Sequence, residues 1–214
     1  MMKKYIWDFD GTLFDTYTHT VSILHELMRE VGKPCDYDTL FAKSRRSLGE
    51  ARLYCQATDE EWTEFYRREG NIETEPVALP YKGAENVLKK VIESGGKNYI
   101  YTHRDAVTFK YLKKHKWMEY FEGFVTNEHN FPHKPAPDAL LYMIKRYNMN
   151  LDETVMTGDR EIDVLSGKNA GIHACLFTEG NTDIQYIEQI KLTKADYVAD
   201  SMSSFCNLFF PTVL

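Results

Sequence analysis

Aspartates dominate the residues of this chain whose types and spacing could do chemistry. Asp8 and Asp10 stand two residues apart in the segment Asp8-Phe9-Asp10-Gly11-Thr12, and Asp159 and Asp163 stand four apart in Gly158-Asp159-Arg160-Glu161-Ile162-Asp163. Carboxylates that converge repel one another, so their pKa values rise or a cation neutralises them. No His or Cys cluster favours zinc, and oxygen ligands suit a hard cation, so the sequence predicts a Mg²⁺ site.

A hydroxyl and an ammonium group complete this candidate chemistry. Thr102 follows a β-rich run and Lys134 opens the segment Lys134-Pro135-Ala136-Pro137. At the same edge of a fold, these two side chains can hold an anion that also contacts the metal. Carboxylates, Mg²⁺, one lysine and one hydroxyl together suit phosphoryl transfer through an aspartyl-phosphate.

The elements that must position these residues alternate along the chain. Short β-rich runs predict strands, and helical patterns lie between them; the predicted strands are Lys4–Asp8, Lys97–Thr102, Phe124–Thr126, Thr154–Thr157, His173–Phe177 and Tyr197–Val198. This alternation predicts an α/β fold, a Rossmann-like three-layer core with a parallel sheet. Ligands of such sheets bind outside the carboxyl ends of the strands, where the four motifs fall.

One segment, residues 16–80, breaks the alternation with helical patterns alone. Val21, Leu24, Leu27, Met28 and Val31 form an amphipathic stripe, and Ser47–Glu50 and Thr58–Glu61 are candidate capping boxes. We therefore expect a core domain at 1–15 and 81–214 and a small all-helical cap at 16–80. An insert at this point is expected above the carboxyl edge of the sheet.

Composition narrows the class of protein. The 214 residues carry a net charge of −6, with 43% hydrophobic and 27% charged residues. These values disfavour a nucleic-acid binder and extensive disorder, and no apolar run has the length of a membrane span. Asp8 comes too early in the chain for a signal peptide. Four scattered cysteines favour free thiols over a Cys35–Cys55 disulfide. We expect a cytoplasmic protein, monomeric or homodimeric, that binds no nucleic acid or membrane.

The motifs resemble those of the haloacid dehalogenase-like (HAD) superfamily. The segment D-F-D-G-T-L-F-D-T from Asp8 onward is similar to its signature, and Thr102, Lys134 and the Asp159/Asp163 pair match its other three motifs in order. The helical insert matches the place of that family's cap. The resemblance implies a helical-cap phosphatase of the phosphoglycolate phosphatase or beta-phosphoglucomutase type, acting on a small phosphorylated metabolite.

The resemblance also implies a role for each residue. Asp8 would be the nucleophile and a Mg²⁺ ligand, and Asp10 the acid and base, with its backbone carbonyl also on the metal. Asp159 would complete the metal ligands, supported by Asp163. Thr102 and Lys134 would hold phosphoryl oxygens. His103, which stands where the family usually has asparagine or serine, would contact phosphate or line its rim.

Three other functions fit parts of the pattern. A sugar-phosphate mutase would use the same core, and phosphonate cleavage would need a Schiff-base lysine, for which the cap offers Lys33 and Lys43. A non-catalytic phospho-accepting or interaction protein fits least, because every reactive group is present.

Two sets of cap residues have ordinary interpretations beside functional ones. The arginines Arg45, Arg46 and Arg52 could reach substrate oxygens, but a solvated helix face is the simpler prediction. The aromatic residues Trp62, Phe65 and Tyr66 are predicted as cap core rather than as a base-stacking platform.

Overall fold

A six-stranded parallel sheet forms the centre of the computed structural model, which describes residues 2–72 and 78–211. Its strands are β1 (Lys4–Trp7), β2 (Lys97–Tyr101), β3 (Phe121–Val125), β4 (Thr154–Gly158), β5 (His173–Phe177) and β6 (Tyr197–Ala199). They lie in the order β3-β2-β1-β4-β5-β6. The predicted α/β class is confirmed. Only β3 differs clearly from its prediction, because it begins at Phe121 rather than at Phe124.

Ten α-helices accompany the sheet in the described residues. They are α1 (Thr16–Glu30), α2 (Tyr37–Arg46), α3 (Leu48–Cys55), α4 (Asp59–Glu69), α5 (Ala84–Glu93), α6 (Val107–Lys114), α7 (Asp138–Arg146), α8 (Glu161–Asn169), α9 (Ile184–Lys191) and α10 (Met202–Phe209). Short 3₁₀ turns occur at Met118–Tyr120, Asn127–His129 and Leu151–Glu153. None of these helices combines the length and the apolar character that a membrane crossing needs.

The chain divides into two compact units, one of which contains the whole sheet. This sheet unit comprises Met1–Leu13 and Pro80–Leu214, and the helical unit comprises Phe14–Leu79.

The strand order determines which loops become neighbours. β1 pairs with β2 on one side and with β4 on the other, so that Trp7 lies level with Ile100 and Thr157. The backbone N–H of Asp8 continues the ladder by donating to the carbonyl of Thr157 at 2.8 Å. The chain segments that follow β1, β2 and β4 therefore meet at one edge, at the point where the strand order reverses.

The core beneath that edge is mainly apolar, and one buried pair of polar side chains within it is hydrogen-bonded. Trp7, in β1, is fully buried, and its indole Nε1 donates to Oδ1 of Asn98 at 2.9 Å. The amide of Asn98 donates to the carbonyl of Leu88 at 3.0 Å. A buried asparagine satisfied in this way links β1, β2 and α5 without an unpaired polar group.

Side-chain caps begin each of the four helices of the helical unit. Asp15, Asp36, Ser47 and Thr58 each accept a backbone N–H near the helix start. At Thr58 the predicted capping box with Glu61 is complete, whereas Ser47 shows only the hydrogen bond from the Glu50 N–H. Such caps satisfy backbone donors that a helix cannot pair internally.

The interior of the helical unit corrects two predictions. Leu24, Leu27 and Met28 are buried as expected, but Val31 follows the end of α1 and is 41% exposed. Phe65 is buried, yet Tyr66 points outward and is 51% exposed.

Among the cap arginines, Arg45 does not lie on a solvated face. It is buried, with its guanidinium 4.7 Å from the centre of the Tyr17 ring. Arg52 forms an ion pair with Asp59.

The cysteines and two lysines of the helical unit were the subject of two further predictions, free thiols and a candidate Schiff-base lysine. All four cysteines are free thiols, as predicted. Lys33 pairs with Glu61 at 2.8 Å, and the ammonium of Lys43 lies 3.8 Å from Glu50. Both lysines thus face carboxylates of their own unit, and the role of either as a Schiff-base lysine stays a prediction.

Candidate active site

A buried lysine joins two of the predicted aspartates at the carboxyl edge of the sheet. Lys134 Nζ donates to Oδ1 of Asp8 at 2.8 Å and to Oδ1 of Asp163 at 2.7 Å. The side chains of Lys134 and Asp163 are fully buried, and that of Asp8 is 3% exposed. The structure therefore brings three residues from different segments into one dry, charge-assisted network.

Burial and the neighbouring charges shift the pKa values of these groups. Burial raises the pKa of Asp8 to about 7, with Lys134 opposing and Asp163 reinforcing the shift. Burial acts to lower the pKa of Lys134, but the carboxylates of Asp163 and Asp8 outweigh it and raise that pKa to about 12. Burial disfavours the ionised form of Asp163 as well, yet Lys134 and Arg160 lower its pKa. Lys134 is consequently a permanent cation beside Asp8.

Asp163 is held from a second direction by its own helix. Its Oδ2 accepts the backbone N–H of Arg160 at 3.0 Å, where α8 begins. A carboxylate at this point satisfies a free N–H and interacts favourably with the helix dipole. With one oxygen on Arg160 and the other on Lys134, Asp163 is suited to orient the lysine.

The acidic residues of this edge fit a divalent cation. Asp8, Asp159 and Asp163 are buried, and each offers one carboxylate oxygen within 4.8 Å of the others. Oδ2 of Asp8 is buried and accepts no hydrogen bond from any described residue. A buried oxygen of this kind requires a partner, and a set of carboxylates with no imidazole or thiolate suits Mg²⁺.

Asp10 is placed differently from the other three aspartates. It lies in a tight turn that Gly11 permits with a φ of +71°, and Leu13 N–H closes the turn onto the carbonyl of Phe9 at 3.1 Å. Its Oδ1 accepts a hydrogen bond from Nε of Arg104 at 2.9 Å and forms an ion pair with Nη2 at 2.8 Å. The Asp10 carboxylate therefore faces Arg104 rather than the acidic cluster, and the backbone carbonyl as a metal ligand stays a prediction.

Thr102 sits where β2 ends, with its backbone N–H on the carbonyl of Val125 at 3.0 Å. The residue is 1% exposed, and its hydroxyl oxygen accepts the backbone N–H of Arg104 at 3.0 Å. The hydroxyl hydrogen is left to donate elsewhere. This geometry agrees with the predicted role of Thr102 toward a phosphoryl oxygen without testing it.

His103 makes a contact that the sequence did not indicate. Its Nε2 accepts the backbone N–H of Lys134 at 3.0 Å, and its ring stacks on that of His133 with centroids 4.4 Å apart. Burial, reinforced by the charge of Lys134, lowers the pKa of His103 to about 3. The neutral ring thus accepts at Nε2 and carries its proton on Nδ1, so the predicted phosphate contact would have to use Nδ1.

Two further residues contact the predicted ones: Tyr101, which the sequence did not indicate, and Arg104, whose role the sequence left open. The Tyr101 ring lies 4.6 Å from Lys134 Nζ, and Arg104 pairs with Asp10. Tyr101 carries no motif signal because it reads as an ordinary strand residue. Arg104 stands two residues after Thr102, and this closeness in sequence was the only indication that it lies near the candidate site.

Comparison with known proteins adds a family match. Residues 5–177 match the model of a family described as haloacid dehalogenase-like hydrolase. All the residues discussed above at the carboxyl edge lie within this range.

Relatives of similar length share a quarter of their residues with this chain. A pyrophosphatase PpaX of Halalkalibacterium halodurans is 26% identical, covering 95% of this chain and 94% of that protein. A phosphoglycolate phosphatase of Psychrobacter arcticus is 27% identical over 89% of each. A solved haloacid dehalogenase-like hydrolase from Streptococcus pneumoniae superposes with a TM-score of 0.81 at 18% identity, covering 97% of this chain and 98% of that one. This structural likeness concerns the fold.

Proposed function

Because this chain belongs to the haloacid dehalogenase-like hydrolase family, we propose that it is a Mg²⁺-dependent phosphatase that hydrolyses a small phosphomonoester through an aspartyl-phosphate. The observation that carries the proposal is the buried Asp8 carboxylate, with one oxygen on Lys134 and the other without a hydrogen bond from the described residues. The first contact orients the carboxylate, and the second oxygen is available for the metal or phosphorus.

In the first step, an oxygen of Asp8 forms a bond to phosphorus while the bond from phosphorus to the leaving oxygen breaks. Asp10 gives its proton to the leaving oxygen, so that an alcohol departs. The ammonium of Lys134 and the hydroxyl of Thr102 stabilise charge on the phosphoryl oxygens. Lys134 needs no proton transfer for this role because its pKa is about 12.

In the second step, water attacks phosphorus and the bond between phosphorus and Asp8 breaks. Asp10 takes the proton of the water, which restores both aspartates and releases inorganic phosphate. Asp8, Asp159 and the backbone carbonyl of Asp10 would hold Mg²⁺, with Asp163 in support. When bound, the cation offsets the negative charge of the aspartates and the phosphoryl group. Every residue in this proposal belongs to the sheet unit.

The substrate in this proposal is a small phosphorylated metabolite of the cytoplasm. The names of the relatives, pyrophosphatase and phosphoglycolate phosphatase, supply the first two compounds for a panel. Sugar phosphates and nucleotides complete it.

The test is release of inorganic phosphate from that panel with Mg²⁺ or with EDTA. We expect release that requires Mg²⁺ and that Asp8→Asn lowers by more than about a thousandfold. Rapid acid quenching with a labelled substrate should trap a phosphoprotein that hydroxylamine cleaves, and Asp8→Asn should form none.

Two results would contradict the proposal. Phosphate release that persists in EDTA would exclude a requirement for Mg²⁺. Full activity in Asp8→Asn would exclude Asp8 as the nucleophile. Isomerised sugar phosphate without net phosphate release would instead establish the mutase reaction.

A further inference from the structure

Arg104 is another cation at the carboxyl edge, and it pairs with Asp10 rather than with the two aspartates that contact Lys134. Its guanidinium reaches Oδ1 of Asp10 with two donors, at 2.9 and 2.8 Å. The side chain of Arg104 is 11% exposed and that of Asp10 is 25% exposed, so the pair lies at the boundary with solvent. A ligand can reach it there.

The backbone of Arg104 is held within its loop by two hydrogen bonds. The N–H of Arg104 donates to the hydroxyl of Thr102 at 3.0 Å, and its carbonyl accepts the N–H of Asn127 at 3.1 Å. The guanidinium lies 5.9 Å from the centre of the buried Tyr111 ring. The backbone of Arg104 is therefore fixed beside Thr102, which is proposed to bind the phosphoryl group.

The pairing of Arg104 with Asp10 indicates which part of the substrate Arg104 faces. Under the proposed function, Asp10 donates a proton to the leaving oxygen, whereas Lys134 and Thr102 bind the phosphoryl oxygens. A cation attached to Asp10 consequently stands beside the leaving group. A guanidinium presents a planar pair of donors that matches the two acceptor oxygens of a carboxylate or a phosphate. An alcohol or sugar hydroxyl does not offer such a pair of acceptors.

We propose that Arg104 is a specificity-determining residue that binds an anionic group on the leaving group, so that the preferred substrates carry a second carboxylate or phosphate close to the phosphoryl group. When such a substrate binds, the guanidinium exchanges Oδ1 of Asp10 for the second anion. The exchange frees that oxygen of Asp10 to face the leaving oxygen. This inference rests on the proposed function, which it extends to a class of substrate.

A matched pair of esters tests the inference. Phosphoglycolate ends in a carboxylate, and 2-hydroxyethyl phosphate has a neutral hydroxymethyl group at the same place. We expect the wild-type protein to prefer phosphoglycolate, and Arg104→Gln to lower kcat/KM by about 100-fold for phosphoglycolate but by less than about tenfold for the neutral ester. Arg104→Lys keeps the charge without the planar donor pair and should fall between the two.

Arg146 provides the control variant. It is an exposed arginine of α7 whose guanidinium also lies near a tyrosine ring, 5.8 Å from the centre of Tyr147. Arg146→Gln should leave the ratio of the two kcat/KM values unchanged. Equal losses on both esters in Arg104→Gln would mean that Arg104 acts only through Asp10, which would overturn the inference.

Binding measurements separate failure of this inference from failure of the proposed function. The Kd values of both esters are measured by calorimetry on Asp8→Asn, with and without Arg104→Gln. If Asp8→Asn alone prefers phosphoglycolate and the second substitution removes that preference, the anion subsite stands even if the wild-type protein releases no phosphate. If Asp8→Asn binds both esters equally, the subsite is wrong even if hydrolysis is observed.

Discussion

Gly158 lies directly against the side chain of Asp163. A Cβ placed on Gly158 would overlap with Cβ and Cγ of Asp163, far inside van der Waals distance. The last residue of β4 thus has no side chain because the carboxylate that supports Lys134 occupies that space. A glycine at this strand end permits close packing with the Asp163 side chain.

Gly158→Ala should therefore impair both catalysis and folding. The added methyl group displaces the Asp163 carboxylate from Lys134, so we expect kcat/KM to fall by at least about tenfold and stability by about 1–3 kcal/mol. Phosphate release and urea denaturation measure the two effects. Gly49→Ala is the control, because its nearest neighbour would be Ser47 Oγ at 3.6 Å. Normal activity in Gly158→Ala would show that the position of Asp163 does not matter.

Mg²⁺ should stabilise the folded protein even without substrate. A ligand that binds only the folded state adds about 2.7 kcal/mol at a concentration of 100 times its Kd. We expect MgCl₂ to raise Tm relative to EDTA, and Asp159→Asn to remove most of that rise. Asp152→Asn, which changes an exposed aspartate of the same unit, should retain it. An undiminished rise in Asp159→Asn would exclude Asp159 as a ligand.

Lys134→Met should make the protein more dependent on the metal. The substitution leaves the buried carboxylates of Asp8 and Asp163 without their cation, at a cost of about 3–5 kcal/mol. Because Mg²⁺ can neutralise the same carboxylates, we expect it to stabilise Lys134→Met more than the wild-type protein in urea denaturation. Lys168→Met removes a half-exposed lysine 3.6 Å from Asp196 and should cost under about 1 kcal/mol. Equal metal effects in Lys134→Met and wild type would refute the argument.

Acid should destabilise the protein through His103. Its pKa is about 3 in the folded state, against an ordinary value of 6.5, because burial disfavours the imidazolium. The unfolded chain therefore binds the extra proton, and this contribution to stability is complete above pH 6.5 and falls by about 1.4 kcal/mol per pH unit toward pH 3. We expect His103→Asn to show a shallower loss of unfolding free energy between pH 6.5 and 4.5. Parallel curves for the two proteins would disprove the assignment.

Local patterns in the sequence were sufficient for the six strands and for their alternation with helices, whereas the assignment of chemistry to the edge of the sheet stays a prediction. The β-rich runs and helical stripes follow from the periodicity with which each element buries one face. Chain order then placed Asp8, Thr102 and Asp159 after β1, β2 and β4, so the edge at which they meet could be predicted. The boundary of β3 and the exposure of Val31 were missed, because tertiary packing decides where an element ends.

The pairing of side chains was decided only by the tertiary structure. Lys134 and Asp8 are 126 residues apart, and Arg104 and Asp10 are 94 apart. Residue types and spacing named most of these residues, but hydrogen bonds depend on ångström-scale geometry between distant segments. For that reason the sequence could assign Asp10 to acid and base chemistry without revealing Arg104 as its partner. The burial of Arg45 against Tyr17 and the bond from Lys134 N–H to His103 likewise depend on which surfaces pack together, which no local pattern records.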